Sequence, residues 1–420
     1  MKKVRLLAGA AALTLGLTLS LPGVPATAGH VSGPYFDLDA LPPTDIGGEK
    51  IFDDLESFVN AYPYRVSGTP SEVLAGHYLR DEAADLGYET SIHTLAPQGT
   101  DLTTCAPLTG CVGAGLKAVR AVKRGTTRPD EWIMFVGHYD TVPQTIYGAY
   151  DNGSGSNLIL ELAREFADVE TNRSLVFTWY NGEEEGLLAS QLDAENLSGS
   201  GQEITAVFGF DMVGIAYPVA NPNAANCLCI FHGPGDGEAF VPLLRHVNYD
   251  FLGFPESSRE VNIVGVNSRN SDERSFAVEG YPTMRWAGKR TAGAYSAYHL
   301  PDDTIETILA EAGGAEYYEQ GIENTLKSAY YSALSLDNHP PVPHAAVAPG
   351  GLSPTFDATG STDEDGDPTT FLWDFGDGTT GEGATLSHTY EAPGTYQVTL
   401  TVADNLWAGV TRSTTLTVAV

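Results

Sequence analysis

Over about 290 residues, short apolar segments alternate with longer segments of helical periodicity, and this alternation restricts the fold more than any other feature. The pattern predicts strands at about 117–123, 131–137, 174–180 and 205–210, and helices at about 155–168, 238–248 and 304–336. Such alternation is typical of an α/β fold with a mostly parallel, mixed sheet and helices on both faces. Ligands bind such folds beyond the carboxyl ends of the strands, so residues there are the candidate functional residues.

Two further helices are predicted before the alternating region. Apolar residues recur at helical spacing between Ile51 and Tyr62. The second helix has a clear start, because Thr69 and Glu72 form a capping box around Pro70. The region that forms the sheet is therefore preceded by helical sequence.

The first 28 residues have the pattern of a secretory signal peptide. Basic residues near the amino terminus are followed by the apolar run Leu6–Leu21 and by the small residues Ala26-Thr27-Ala28. The apolar run is too short for a membrane anchor. We therefore predict a signal peptide over residues 1–28, a mature chain that starts at Gly29, secretion, and no membrane association.

The chain is strongly acidic, with 22 basic and 54 acidic residues and a net charge of -32. This balance argues against nucleic acid and anionic membrane surfaces as partners, because both attract clustered Lys and Arg. Two interpretations remain open. The charge keeps an extracellular protein soluble, or it also attracts the cationic amino termini of peptides.

Four cysteines in an exported chain predict disulfide bonds. Cys105 and Cys111 close a short loop and are the preferred pair. Cys227 and Cys229 have one residue between them, so a bridge there would be strained. The spacing of the four cysteines matches no common zinc-ligand pattern.

A change in composition near residue 338 predicts a second domain. Residues 338–343 are rich in proline and form the predicted linker. From residue 344 to residue 420, segments of alternating polarity such as Tyr396–Val402 lie between Asp/Gly turns, which is typical of a small β-sandwich. One acidic turn is compatible with calcium binding or with no ligand at all, and it contains Asp363, Asp365 and Asp367.

Imidazole and carboxylate side chains lie at the ends of several predicted strands. His138 and Asp140 end the strand at about 131–137, where the aspartate can accept the second ring proton of the histidine and orient it. Asp151 lies in a Gly-rich turn before a helix, where it either caps the helix or bridges two metal ions. Taken alone, each of these residues also fits a structural role.

Further acidic and imidazole positions extend the pattern. The run Glu183–Glu185 directly follows an apolar strand; such a run is usually solvated, but two divalent ions would neutralise it. Asp211 ends another apolar strand, where a buried carboxylate requires a cation. His299 precedes the last helical stretch, whose cap is Asp303 or Thr304. Mixed imidazole and carboxylate ligands suit zinc, with cobalt or manganese as substitutes.

In their order and context, these motifs resemble metallopeptidase family 28 over about Ile51–Leu336. The resemblance implies a zinc-exopeptidase fold for the catalytic domain at residues 29–337, with two zinc ions per domain. The implied ligands are His138 and Asp211 for the first ion, Glu184 and His299 for the second, and Asp151 for both.

The same resemblance implies roles for residues that do not bind metal: Asp140 orients His138, Glu183 is the general base, Tyr298 stabilises the tetrahedral intermediate, and Asp272 and Phe276 lie near the substrate pocket.

Two features depart from the family pattern. Asn152 stands where family members often have a second aspartate. The run of three glutamates leaves two registers for the base and the ligand. The segment Gly186–Ser190 matches the family's downstream spacing and favours Glu183 and Glu184 over Glu184 and Glu185.

The resemblance implies a secreted di-zinc aminopeptidase that hydrolyses the amino-terminal residues of peptides through a metal-bridging hydroxide. We expect a monomer. A carboxypeptidase of the same fold, or a glutaminyl cyclase with one zinc, remains an alternative. A non-enzymatic first domain is disfavoured because no expected ligand is missing. A carboxypeptidase needs a basic pocket, for which these arginines are available: Arg259, Arg269, Arg274, Arg285 and Arg290.

The carboxyl-terminal segment resembles a PKD-type (polycystic-kidney-disease) repeat. The segments Trp373–Gly378, His388–Tyr390 and Gly394–Tyr396 carry this resemblance. It implies a β-sandwich that contacts protein substrates or surfaces, without catalytic residues of its own.

Overall fold

The computed structural model describes residues 43–44, 46–95, 115–215, 229–232, 240–254, 262–265, 271–289, 295–337, 341–363, 369–404 and 411–420. The predicted signal peptide lies outside these residues, as do Cys105, Cys111, Cys227, Asp365 and Asp367. The predictions of the signal peptide, the disulfide bonds and the calcium site therefore stay predictions.

Within the described residues, the central sheet contains β1 Glu89–Leu95, β2 Leu116–Lys123, β3 Arg128–His138, β4 Arg173–Tyr180, β5 Glu203–Phe210, β6 Cys229–His232, β7 Asn262–Gly265 and β8 Thr283–Ala287. The strands lie in the order β1-β2-β4-β3-β5-β8-β6-β7. The central pairs β4-β3, β3-β5 and β5-β8 are parallel, as is β6-β7. The pairs β1-β2, β2-β4 and β6-β8 are antiparallel. The predicted mostly parallel, mixed sheet is thus confirmed.

The helices in the same described ranges are α1 Gly48–Ala61, α2 Pro70–Asp85, α3 Gly155–Glu165, α4 Leu188–Ser200, α5 Val241–Arg245, α6 Glu273–Val278, α7 Ile305–Ala312 and α8 Ala315–Asp337. The predicted start of α2 is confirmed, because the Thr69 hydroxyl accepts a hydrogen bond from the Glu72 N–H. The helical stretch predicted at 304–336 is two helices. Gly313 and Gly314 adopt φ values of 95° and 133°, which end α7 before α8 begins.

Both faces of the sheet are covered, and β3 shows why its sequence is apolar throughout. Ile133 and Phe135 belong to the core that α1, α2, α3 and α8 form on one face. Met134 and Val136 belong to the core on the other face, with α4 and α6. Because neighbouring strand residues point to opposite faces, a strand covered on both sides loses the usual polar alternation.

The carboxyl-terminal domain is all-β, as predicted. Its strands in the described residues are β9 Ala346–Ala348, β10 Thr355–Asp357, β11 Thr369–Asp374, β12 Thr380–Glu382, β13 Thr385–Ser387, β14 Thr395–Asp404 and β15 Thr411–Ala419. They form two antiparallel sheets, β13-β10-β9 and β12-β11-β14-β15. Phe356 from one sheet and Trp373, Val398 and Leu400 from the other share one core.

No helix among the described residues has both the length and the apolar character needed to cross a bilayer. Helix α8 ends at Asp337 and β9 begins at Ala346. The linker boundaries at residues 338 and 343 remain a prediction.

Candidate metal centre

The central parallel strands bring the predicted ligands to one edge of the sheet. His138 is the last residue of β3 and is paired in register with Tyr180, the last residue of β4. The glutamate run Glu183–Glu185 follows β4 after a short turn, and Asp211 follows β5 directly. Since β4, β3 and β5 are parallel neighbours, their carboxyl ends lie side by side.

Asp151 lies between the two histidines. Its Oδ1 is 3.5 Å from His138 Nε2, and its Oδ2 is 3.3 Å from His299 Nε2. His138 Nε2 also lies 3.7 Å from Asp211 Oδ1, and His299 Nε2 lies 3.2 Å from Glu184 Oε2. The structure thus brings all five sequence-predicted ligands together, with one carboxylate oxygen of Asp151 facing each histidine.

The three consecutive glutamates point to different partners. Glu183 Oε2 lies 3.9 Å from His138 Nε2, whereas Glu184 Oε2 faces His299. Glu185 lies beside Ser67, whose hydroxyl is 3.2 Å from Glu185 Oε2. The geometry therefore agrees with the register in which Glu183 and Glu184, rather than Glu184 and Glu185, serve the site.

The charges of this cluster fit a pair of divalent cations. Four carboxylates, those of Asp151, Glu183, Glu184 and Asp211, surround two imidazoles. Glu184 Oε1 and Asp211 Oδ1 are buried and accept no hydrogen bond. Buried carboxylate oxygens without a donor are costly unless a cation neutralises them. Zinc accepts this mixture of imidazole and carboxylate ligands, so the donor set suits zinc.

The pKa values of the cluster follow from burial and crowding. Burial raises the pKa of Glu184 to about 7, and the charge of Asp151 adds to the effect. Hydrogen bonds to Asp151 and Glu184 raise the pKa of His299 to about 10. Burial alone would lower the pKa of His138, but the charge of Glu183 and the carboxylates of Asp140 and Asp211 raise it well above the ordinary value. Metal binding must therefore release protons from these side chains.

The Asp140 carboxylate faces the imidazole of His138 and is itself held in place. His138 Nδ1 lies 3.5 Å from Asp140 Oδ1 and 3.3 Å from the main-chain oxygen of Asp140. Asp140 Oδ2 accepts hydrogen bonds from the Gly182 N–H at 2.9 Å and from the Ser67 hydroxyl at 3.0 Å. Ser67 was not predicted, because a single serine in a loop carries no sequence signal for this contact.

Asn152, the departure from the family pattern, joins the strand ends that carry the ligands. Its amide nitrogen donates to the main-chain oxygens of His138 at 3.2 Å and Phe210 at 2.9 Å. Its amide oxygen accepts from the Met212 N–H at 3.1 Å. An ionised aspartate has no donor for the two carbonyl oxygens, so asparagine suits this position. The peptide bond between Asp151 and Asn152 is cis.

Tyr298 stacks on the ring of His299, with the ring centroids 3.8 Å apart. Burial raises the pKa of Tyr298, and so do the charges of Asp151, Asp211 and Glu184. The hydroxyl therefore stays protonated at neutral pH and can donate a hydrogen bond at the site.

The two residues predicted near the substrate pocket, Asp272 and Phe276, are both buried. Burial raises the pKa of Asp272 to about 7, while the charge of His138 and the hydroxyl of Ser190 act in the opposite direction. Phe276 is fully buried and packs against Tyr180 and Tyr281. Its ring therefore belongs to the core between α6 and the sheet, and a place near the substrate pocket stays a prediction.

Comparisons with known proteins agree with the two domains. Residues 119–315 match the model of peptidase family M28, and residues 338–420 match the PKD domain model. Aminopeptidase YwaD of Bacillus subtilis is 29% identical over 231 residues, which cover 54% of this chain and 45% of the relative. A probable leucine aminopeptidase of Arthroderma benhamiae is 40% identical over 212 residues, which cover 46% of this chain and 52% of the relative. The chain thus spans about half the length of these curated relatives.

Solved structures share the fold of the larger domain. The zinc aminopeptidase BSAP from Bacillus subtilis has a TM-score of 0.53 at 16% identity, covering 69% of this chain and 96% of that one. Legionella pneumophila LapA has a TM-score of 0.52 at 21% identity, covering 70% of this chain and 74% of that one. Residues 119–315 of the chain are thus similar to peptidase family M28, and residues 338–420 are similar to the PKD domain.

Proposed function

We propose that this chain is a secreted metallo-aminopeptidase that uses two zinc ions to remove the first residue from peptides. The position of Asp151 carries the proposal, since its two oxygens lie 3.5 Å from His138 Nε2 and 3.3 Å from His299 Nε2. A carboxylate that presents one oxygen to each of two imidazoles suits two neighbouring ions. The aminopeptidase names of two relatives support the same class of enzyme.

In this proposal the ligands are His138, Asp151, Glu184, Asp211 and His299, and zinc supplies Lewis acidity that lowers the pKa of water and polarises a carbonyl group. Glu183 removes the proton from the attacking water and later donates it to the leaving amine. Burial raises the pKa of Glu183 well above its ordinary value, which suits a carboxylate that holds a proton between two steps. The Tyr298 hydroxyl donates a hydrogen bond to the oxyanion.

The net charge of the whole chain, -32, favours a substrate with a cationic free amino terminus over the terminal carboxylate that a carboxypeptidase binds. The guanidinium of the buried Arg285 faces protein carboxylates instead, with Nη1 3.9 Å from Asp211 Oδ2 and Nε 3.7 Å from Glu273 Oε1.

The test compares an aminoacyl anilide with its N-acetylated form, with and without a metal chelator. We expect cleavage of the free substrate alone, loss of activity with the chelator, and recovery on addition of zinc. Release of the last residue from an acetylated peptide would indicate a carboxypeptidase, and cyclisation of an amino-terminal glutamine would indicate a glutaminyl cyclase. Fewer than two zinc ions per chain in fully active enzyme would overturn the two-zinc part of the proposal.

Secretion rests on the basic and apolar pattern of residues 1–28. Expression of the full chain in a secreting bacterial host tests it. We expect the product in the medium, with Gly29 as its first residue. A product that stays in the cell with its first 28 residues attached would contradict secretion.

A further inference from the structure

We propose that Arg65 and Asp303 are positioning residues of the metal centre. Together they hold the main chain between His138 and Asp151, and so they set the spacing of the ligands. The inference rests on the proposed function, because it assumes that these ligands bind metal. It concerns two residues that do not reach the metal cluster themselves.

Arg65 holds the carbonyl groups of this loop. Its side chain is fully buried, and it donates four hydrogen bonds to main-chain oxygens. Nε donates to Tyr139 at 2.8 Å, Nη1 to Tyr62 at 3.1 Å and to Tyr147 at 2.7 Å, and Nη2 to Gly148 at 2.9 Å. Tyr139 directly follows His138, and Gly148 lies three residues before Asp151. One guanidinium thus joins the two ends of the loop.

Asp303 holds the N–H groups at the end of the same loop. Its Oδ1 accepts from the Tyr150 N–H at 2.9 Å, and its Oδ2 accepts from the Asp151 N–H at 3.0 Å. The Tyr295 hydroxyl donates to Oδ1 at 2.8 Å. Asp303 follows His299 by four residues. Its hydrogen bonds therefore also link the loop that carries His299 to Asp151, the carboxylate that faces both histidines.

Asp303 is not needed for the helix that follows it. The sequence left Asp303 and Thr304 as alternative caps for α7, and the structure shows that Thr304 is the cap, since its hydroxyl accepts from the Thr307 N–H at 3.3 Å. The Asp303 carboxylate is free to point inward and is fully buried. Such a buried carboxylate requires the donors that Tyr150, Asp151 and Tyr295 provide.

The two residues also complement each other in charge. Burial lowers the pKa of Arg65 to about 10, and the charges of Asp303, Asp140 and Asp151 act against that shift. Arg65 therefore remains cationic at neutral pH beside a strongly acidic site. The loop leaves little room for adjustment, because a Cβ on Gly148 would lie 2.3 Å from Thr141 Cγ2. A shift of Arg65 or Asp303 would therefore also displace Asp151.

The test is the zinc affinity of Asp303→Asn, measured by competition with a chromophoric chelator on metal-free protein. Asparagine keeps the shape but offers only one acceptor oxygen, so one of the two loop N–H groups faces an NH2 group. We expect zinc affinity to fall by about 10- to 100-fold, as for other partners that orient metal ligands. Asp302→Asn is the matched control, because Asp302 is the exposed neighbour and the charge change is the same. Its zinc affinity should equal that of the wild type.

Cobalt substitution gives a second readout. The visible spectrum of bound Co²⁺ reports ligand geometry, and we expect it to change in Asp303→Asn and not in Asp302→Asn. If Asp303→Asn does not fold, Tyr295→Phe removes a single hydrogen bond to the same carboxylate, and we expect a several-fold loss of zinc affinity. A folded Asp303→Asn protein with wild-type zinc affinity and cobalt spectrum, even if less stable, would overturn the inference.

These outcomes separate the inference from the proposed function. A wild-type chain that binds zinc and yields the expected variant series, but cleaves no peptide, would contradict the proposed activity and leave the positioning role intact. A wild-type chain that binds no zinc would overturn both.

Discussion

Replacing Glu183, Glu184 and Glu185 with glutamine, one at a time, tests which carboxylate acts as the base and which binds metal. Glutamine keeps the size of each side chain and removes its charge. The three side chains have different surroundings: Glu183 lies 3.9 Å from His138, Glu184 lies 3.2 Å from His299, and Glu185 lies 3.2 Å from the Ser67 hydroxyl. The three substitutions should therefore have different effects on kcat and on zinc affinity.

For Glu183→Gln we expect kcat to fall by about 10²- to 10⁴-fold, the usual contribution of a general base, with zinc content unchanged. For Glu184→Gln we expect the loss to appear in zinc affinity, and to exceed the roughly 10- to 100-fold that a residue outside the ligand set contributes. Glutamine keeps an acceptor oxygen for the Ser67 hydroxyl, so Glu185→Gln should change this contact by no more than about 1 kcal/mol and kcat by no more than a factor of about five.

The assay is steady-state hydrolysis of an aminoacyl anilide, with zinc content measured on the same samples. Glu185→Gln is the matched control, because it removes the same charge one residue away from the ligand. A Glu183→Gln enzyme that keeps full turnover with zinc bound would refute the assignment of the base. A severe loss in Glu185→Gln, with Glu183→Gln little affected, would show that the register is shifted by one residue.

Three further predictions concern the stability of the scaffold. Arg120 and Asp193 form a buried ion pair, so Arg120→Ala should lower the free energy of unfolding by about 3–5 kcal/mol in chemical denaturation, whereas Arg124→Ala, in an exposed pair, should give no measurable change. Burial raises the pKa of Glu161 from 4.5 to about 8. The contribution of Glu161 to the free energy of unfolding is therefore complete below pH 4.5 and is lost as the pH rises through 8. Glu161→Gln should make the unfolding midpoint less dependent on pH over this range. Thr69→Ala removes the cap of α2 and should cost about 1 kcal/mol, measured by thermal unfolding of metal-free protein.

The sequence predicted the central strands well because each is buried on both faces. The apolar run at 131–137 has no polar alternation, and it lies within β3, which spans Arg128–His138. The edge strand β1, Glu89–Leu95, was not predicted because its burial is partial and its composition is mixed. The break between α7 and α8 was also missed, since helical periodicity continues across Gly313 and Gly314 while their positive φ values interrupt the helix.

The candidate ligands were predictable only as a group, because each also fits a structural role when taken alone, whereas several carboxylates and imidazoles fall at successive strand ends. The residues that hold them were not. In the loop between His138 and Asp151, Arg65 donates its hydrogen bonds to the main-chain oxygens of Tyr139, Tyr147 and Gly148, and main-chain atoms leave no pattern of side chains to recognise. Asp303 was predictable only as one of two caps, because sequence does not tell whether a carboxylate before a helix points along the helix or into the core.

Ser67 shows that the functional unit extends upstream of the segment matched by the family model, which begins at residue 119. Its hydroxyl lies 3.0 Å from Asp140 Oδ2 and accepts from the Gly182 N–H at 3.0 Å, so it joins the loop after β3 to the loop that carries the glutamates. A hydrogen bond to a charged group contributes about 1.5–3 kcal/mol, so Ser67→Ala should lower kcat by roughly tenfold or more.

The loss in Ser67→Ala should appear in kcat rather than in KM, because Ser67 acts on the orientation of His138 through Asp140 and not on the substrate. Ser200→Ala, at the exposed end of α4, is the matched control and should leave kcat unchanged. Full turnover in Ser67→Ala would mean that the Gly182 N–H, 2.9 Å from Asp140 Oδ2, is sufficient to hold that carboxylate. Ser67 would then stabilise the fold without tuning the site.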